Sequence, residues 1–296
     1  MYRSPWQRIQ ATKRLVDSVR TWAPDVIYFR YDPPYPPLFP LFKNIPTVVE
    51  LNTDDVQEYR LGPKLRACYN LFARRVVLKH AVGLIAVTHE IAQLPHITCY
   101  AKPTLVLGNA LDLIEYPSLS TIPHEHPRLI FIGSEQVPWH GVDKLVWLAQ
   151  QLPYCHIDLV GNYPQLQKTA LPNLHIHGFL AQKDYESLMA YADLAIGTLA
   201  LHHNNMNEAS PLKVREYLAY GLPVIIGYQD TDFMNGARFI LQLPNTENNV
   251  ETHLEQIKDF IEDMRGYRVP RELVTTQIDA AVKEPQRLKF IRDVSS

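Results

Sequence analysis

The feature that most constrains this chain is a repeated unit: a short, β-branched apolar run that stops at a glycine or small polar residue, followed by a helical stretch. AVGLIAVT (81–88), RLIFIGS (128–134), HIDLVGN (156–162), DLAIGT (193–198) and LPVIIGY (222–228) are the clearest runs. Mainly apolar strings of this length, bounded by turn residues, read as strands buried on both faces. The intervening segments 141–152, 182–191 and 211–220 carry helical spacing. Strand and helix in alternation predict an α/β chain built on parallel sheets.

The first third follows the same rhythm less cleanly. Residues 4–22 place Ile9, Leu15, Val16, Val19 and Trp22 on one helical stripe, with Ser4 as N-cap and Pro5 at the first helical position. Two strands, in APDVIYFRY and PTVVELN, flank the proline-dense DPPYPPLFPLF (32–42). A helical stretch over 57–80 leads to AVGLIAVT, a short helix at 89–94, and TLVLGNALD (104–112). A polar, proline-bearing break at 116–127 then separates two α/β domains. The first opens on a helix and has only about three strands before the break. A doubly wound domain ordinarily opens on a strand, so this domain reads as abbreviated at its front.

Charge and cysteine usage narrow the function classes. Thirty-one acidic side chains against 29 basic ones give a net charge of −2, which argues against a partner held by its phosphate backbone. Cys68, Cys99 and Cys155 make no CxxC pair and leave an odd thiol, so neither a structural zinc site nor a disulfide framework is expected. No apolar core follows the basic N-terminus, and no run approaches the roughly 18 apolar residues of a membrane span. A reducing, cytoplasmic setting is the expectation.

The chemistry concentrates in ADLAIGTLALHHNNMNEASPLKVREYLAYGLPVIIGY (192–228). A buried strand ends at Gly197, and a polar loop (198–209) crosses the region outside its carboxyl end, where open α/β sheets bind ligands. Ser210 is placed to cap the following helix with Pro211 at its first position, and Gly221 to end it. The free N–H groups of such a helix start, with the positive dipole end, form an anion site, and Lys213 adds a cation. Glu208 and Glu216, separated by seven residues, suit a reacting sugar and its hydroxyls respectively. The same pattern also reads as an ordinary capped helix with a solvated charged face.

These residues resemble a known family. Glu208-Ala-Ser-Pro-Leu-Lys-Val-Arg-Glu216, followed by YLAYGLPVI, looks like the E-x7-E signature of GT-B glycosyltransferases of the family 4 type. RLIFIGSEQVPWHGVDKLVWLAQQLP, HIDLVGN and LHIHGFLAQKDYESLMAYADLAI match, in order, the strands, glycine turn and base-contacting loop of that family's donor domain. VTHEIAQ and LVLGNALD resemble its last N-domain strand and asparagine-containing linker, with Ala110 where Gly is usual. The resemblance implies two Rossmann-like domains facing a cleft. The abbreviated N-terminal, acceptor-side domain is expected at 1–118, the nucleotide-sugar domain at 124–280, and a closing C-terminal helix at 281–296.

It also implies retaining, metal-independent sugar transfer from a nucleoside diphosphate sugar to a glycan or lipid-linked acceptor, with no cofactor. Residue by residue, Glu208 contacts the donor sugar and Lys213, with Ser210, Leu212 and the helix start, stabilises the diphosphate. Glu216 holds the ribose, and Phe179 and Leu180 lie near the base. Gly133, Ser134, His140 and Gly161 belong to the glycine turns under the donor. Ser134 and His140 stand where many members carry Arg and Lys. A protonated His140, or Arg215, is the candidate replacement for that charge. Asp54 and Asp55 either orient an acceptor hydroxyl or cap the next helix. DPPYPPLFPLF is either a membrane-skimming acceptor edge or a stiff loop that packs Phe39, Leu41 and Phe42 into its own domain. His202 and His203 are adjacent, a poor spacing for chelation from one face, so no metal is expected. Two further readings stay open: a catalytically silent sugar-nucleotide-binding module, and a nucleotide-sugar epimerase.

Overall fold

A computed structural model describes residues 5–166 and 171–296, so Ser4 lies outside the described residues. The chain divides into two compact units, 1–107 with 284–296, and 108–283. Segment 108–118, read above with the first domain, packs in the second unit. There Leu111 bridges to Asp279, and Arg271 donates to the Leu113 carbonyl at 2.8 Å.

The first unit holds a four-stranded parallel sheet in sequence order: β1 (Ile27–Arg30), β2 (Thr47–Leu51), β3 (Gly83–Ala86) and β4 (Thr104–Val106). β2 and β3, the two inner strands, are buried along their whole length, Glu50 of β2 included. Val48, Ile85, Leu107 and Ile291 form one core cluster, so the C-terminal helix closes this unit. On the opening helix Pro5–Trp22 only Val16 of the expected stripe is buried, and Leu15 and Trp22 are exposed. The helix expected over 57–80 is two, Asp55–Arg60 and Lys64–His80. Gly62 and Pro63 interrupt them, because proline removes a helical donor and forces the preceding residue out of the helical region. Leu41 and Phe42 are buried and Phe39 meets Phe72 edge-on, so the proline-rich loop packs into its own unit.

The second unit holds a six-stranded, all-parallel sheet. Its strands are β5 (Arg128–Ser134), β6 (His156–Asn162), β7 (Leu174–Gly178), β8 (Leu194–Ile196), β10 (Val224–Ile226) and β12 (Ile240–Gln242). Two short strands outside that sheet, β9 (Glu208–Ala209) and β11 (Gln229–Asp230), pair with each other. The spatial order β12-β10-β8-β5-β6-β7 reverses direction between β5 and β8. In a doubly wound sheet that switch point opens the ligand crevice at the strand carboxyl ends. One continuous core fills the unit, centred on Leu129, Phe131, Leu145, Ile157, Leu159, Leu194 and Ile196. Among the described residues no helix is long and apolar enough to cross a membrane.

Candidate active site at the switch point

β5 and β8 pair only through Leu129–Leu194 and Ile130–Ala195. Two residues further on, the Ile132 N–H and carbonyl therefore lack a strand partner on that side. The helix Leu212–Ala219 supplies both: the Ile132 N–H donates to the Tyr217 hydroxyl oxygen at 2.8 Å, and the Lys213 ammonium donates to the Ile132 carbonyl at 3.3 Å. Residues 213 and 217 are one helical turn apart, so one face of the helix covers the switch point. The first intrahelical bonds run from the Val214 and Arg215 N–H groups to the Pro211 carbonyl at 3.1 and 3.3 Å, so the Leu212 and Lys213 N–H groups open the helix without an intrahelical acceptor.

Lys213 lies with its Nζ 4.3 Å from the Phe131 ring centroid. Among the described residues it makes no ion pair, and burial lowers its pKa to about 7. An ammonium in this setting gains more from an incoming anion than a solvated one does, because its own hydration is already lost. His140 stands beside it, its Nδ1 3.1 Å from the Ser134 nitrogen and 3.0 Å from the Ser134 carbonyl oxygen. Burial, reinforced by Lys213, lowers the His140 pKa to about 3. The imidazole is therefore neutral near pH 7, and the protonated His140 considered from the sequence is not the resting form.

Gly133 and Gly161 sit opposite each other in the β5–β6 register. Gly161 has φ +133°, and a Cβ there would lie 1.9 Å from the Gly133 carbonyl oxygen. The two glycines let the strand ends approach at the crevice. Beyond them, Gly161, Asn162, Tyr163, His177, Gly178 and Phe179 line a cavity of about 650 Å³. Phe179 is 83% exposed at its rim, and Leu180 follows it. Glu216 is half-buried and accepts from the Tyr185 hydroxyl at 2.6 Å; burial raises its pKa. Tyr185 belongs to the helix Gln182–Tyr191, so that helix sets the direction of the carboxylate. Glu208 lies in β9, partly buried.

Two expectations change. Ser210 does not cap the helix: Pro211 holds that position without a side-chain cap bond. The Ser210 hydroxyl instead accepts from the Asn109 N–H and from Arg215, both at 2.8 Å. Arg215 is not a spare cation. It is fully buried, donates two parallel hydrogen bonds to the Asp230 carboxylate at 2.8 Å each, and reaches Asp232 at 2.6 Å. Burial alone would lower its pKa, but the two carboxylates raise it. Lys283 completes the cluster on Asp232 at 2.7 Å, and a Cβ on Gly108 would strike that same carboxylate at 2.2 Å. Asp230, Asp232 and Lys283 were not singled out from the sequence, and no local motif marks them.

Asp54 caps the helix Asp55–Arg60, accepting from the Val56 and Gln57 N–H groups, and faces His96 at 3.1 Å. Asp55 is buried against Arg74 at 3.0 Å and Asn70 at 2.8 Å. Both carboxylates are thus engaged within the first unit.

No family profile and no curated protein matches this sequence. Solved structures do. Sucrose-phosphate synthase from Thermosynechococcus elongatus is similar with a TM-score of 0.72 at 15% identity, over 99% of this chain and 80% of that one. Anabaena HepE in complex with UDP-glucose has a TM-score of 0.64 at 17% identity, over 98% and 84%. An alpha-glucosyltransferase in complex with UDP-glucose and DNA has a TM-score of 0.67 at 13% identity, over 95% and 83%. The fold is that of the GT-B glycosyltransferases. The strand reversal between β5 and β8 and the two Rossmann-like units are features of that fold in this chain.

Proposed function

We propose that this GT-B chain is a glycosyltransferase that moves a sugar, with retention, from a nucleoside diphosphate sugar to a glycan or lipid-linked acceptor. The observation that carries the reading is Lys213. It is a poorly hydrated ammonium without a carboxylate partner among the described residues, at the switch point and in the first turn of the helix. A diphosphate leaving group develops negative charge there, and a preorganised cation with helix N–H dipoles stabilises it. In this reading the ribose hydroxyls bond Glu216, the donor sugar faces Glu208, and the base enters the cavity bordered by Phe179. Gly161 lines that cavity with Phe179, and in this reading Leu180, Gly133, Ser134 and His140 contact the donor outside it. UDP-glucose bound in the Anabaena neighbour supports a uridine donor as the first to test.

The near-neutral net charge supports a non-nucleic-acid acceptor. The helix Lys64–His80 exposes Leu65, Leu71 and Phe72 beside the exposed Lys64, Arg66 and Arg75. That apolar and basic mixture supports a lipid-linked acceptor met at a membrane surface.

A panel of nucleoside diphosphate sugars read by thermal shift tests the proposal, since a donor at 100 times its dissociation constant adds about 2.7 kcal/mol. The expected result is stabilisation by a UDP-hexose that Glu216→Ala reduces, with loss of the preference for ribose over 2′-deoxyribose. No shift with any donor overturns it. The engagement of Arg215 and the neutrality of His140 leave Lys213 as the cation at this point, which favours one second reading, a silent sugar-nucleotide-binding module. Stabilisation without hydrolysis or transfer would select that reading, and an anomeric assignment of the product by NMR tests retention.

A further inference from the structure

The loop after β8 brings His202, His203 and Glu247 together beside the turn Pro138–His140. The spacing argument against chelation fails for a structural reason. Residues Leu201–Asn204 form a 3-10 turn, closed by Asn205 in the left-handed region at φ 52°. This turn swings both imidazoles onto one carboxylate oxygen. His202 Nε2 lies 2.8 Å and His203 Nε2 3.1 Å from Glu247 Oε2. The three potential ligand atoms all lie within 4.8 Å of one another.

The hydrogen-bond inventory of this cluster is short of one positive centre. His203 Nδ1 faces the Pro138 carbonyl at 3.2 Å, so that nitrogen carries the hydrogen and Nε2 presents a lone pair. That lone pair points at a carboxylate oxygen, which also only accepts. Two acceptors at 3.1 Å repel unless a cation, either a proton or a metal ion, stands between them. The carbonyl-oriented Nδ1–H is also the arrangement that fixes a metal-ligating imidazole in the right tautomer. His202 Nδ1 is buried without a hydrogen-bond partner, which assigns its hydrogen to Nε2 in the metal-free state.

The backbone around the cluster is already fixed. The His202 N–H donates to the Asn245 side-chain oxygen at 2.9 Å. Lys144 bonds the Thr246 carbonyl at 2.9 Å and the Leu199 carbonyl at 3.2 Å, tying the two segments that carry the ligands. Glu247 is 72% exposed and free to adjust. A tetrahedral ion with bonds near 2.1 Å needs ligand atoms about 3.4 Å apart, against the present 2.8 and 3.1 Å from the two imidazole nitrogens to the carboxylate oxygen.

We propose that His202, His203 and Glu247 form a site for a borderline divalent transition-metal ion of the zinc or nickel class. Imidazole and carboxylate suit such ions, whereas magnesium and calcium prefer all-oxygen shells. Two histidines and one carboxylate leave at least one coordination position to water. The ion staples the 201–204 turn to the 245–248 segment and stiffens the approach to Glu208.

The test uses the untagged full chain, stripped with a chelator and then titrated with zinc by calorimetry and thermal shift. Cobalt serves as a visible-absorbance probe. The expected result is one high-affinity zinc per chain, a rise in melting temperature that magnesium does not reproduce, and a cobalt spectrum of mixed nitrogen and oxygen ligation. His203→Ala and the separate exposed-site variant Glu247→Gln should each weaken zinc binding by roughly tenfold or more, leaving metal-free stability close to the parent's. Absence of a zinc-dependent signal overturns the proposal. So does binding that survives both substitutions, which would trace it to the exposed Cys68 or Cys99.

Discussion

Lys213 and Arg215 are two residues apart on one eight-residue helix, yet they live under opposite electrostatic rules. Arg215 is wholly enclosed and saturated by Asp230, Asp232 and Ser210. Lys213 is partly buried, holds one backbone carbonyl and an aromatic face, and has no carboxylate among the described residues. The first cation is an anchor, and its charge is cancelled where it sits. The second keeps an unbalanced charge at the crevice, and that imbalance is what an anionic ligand can use. A count of basic residues near a signature therefore misleads, because the number of available cations depends on which are already paired.

The largest expected effect tests the anchor. Arg215→Met leaves Asp230 buried against no cation and should cost about 3–5 kcal/mol in urea unfolding. A cost in the range of an exposed pair, up to about 1 kcal/mol, would break the contrast between the two residues.

The next tests the open side. Lys213→Met should weaken binding of a nucleoside diphosphate sugar by at least roughly tenfold, or about 1.4 kcal/mol, by calorimetry at pH 7. Its stability should move the other way. The folded-state pKa of about 7 lies below the ordinary 10.5, so between those values the unfolded chain binds more protons and the parent gains stability as pH rises. The variant should lack that slope and melt a few degrees higher than the parent at pH 6. An unchanged slope would place the ammonium in water after all.

The pH profile of donor binding sharpens the same point. Affinity for the donor sugar should fall as pH climbs above about 7, where unliganded Lys213 loses its proton. Lys213→Met should flatten this. Tyr185→Phe removes the hydroxyl that aims Glu216 and should cost a few-fold in donor affinity with little change in melting temperature; an unaltered affinity would mean the carboxylate needs no orientation. The smallest effect is expected for His140→Phe. Because His140 titrates near pH 3, the donor-affinity profile between pH 6 and 8 should keep its shape. A step near pH 6 that this substitution abolishes would show that the bound diphosphate protonates the imidazole.

Much of the second unit was legible because its signals are local. β5, β6 and β8 coincide with RLIFIGS, HIDLVGN and DLAIGT, each a mainly apolar run with its own stop, Asp158 in β6 being paired with Arg128 and His177. The helix Leu212–Ala219 and the strand after it fall where the proline, glycine and period placed them. The opening helix was less legible. Its apolar stripe promised a buried face, but the helix packs chiefly against the short turn Pro36–Leu38, and Trp22 remains 79% exposed. Asp54 and Asp55 show the same ambiguity at the scale of one residue: adjacent carboxylates became a cap and a buried ion-pair partner.

The sequence by itself determined the α/β class, the positions of most strands and helices, and the segment where polar groups gather at a strand end. Those follow from period, propensity and turn chemistry, which are read over a few neighbouring residues. Only the tertiary structure decided which charges are spent. Lys283 reaches the Gly108 carbonyl across 175 positions, Asn109 meets Ser210 across 101, and Glu247 joins His202 and His203 across 45 and 44. Electrostatic partnership acts through space at a few ångströms, and distance along the chain carries no record of it until the sheet has brought the strand ends together.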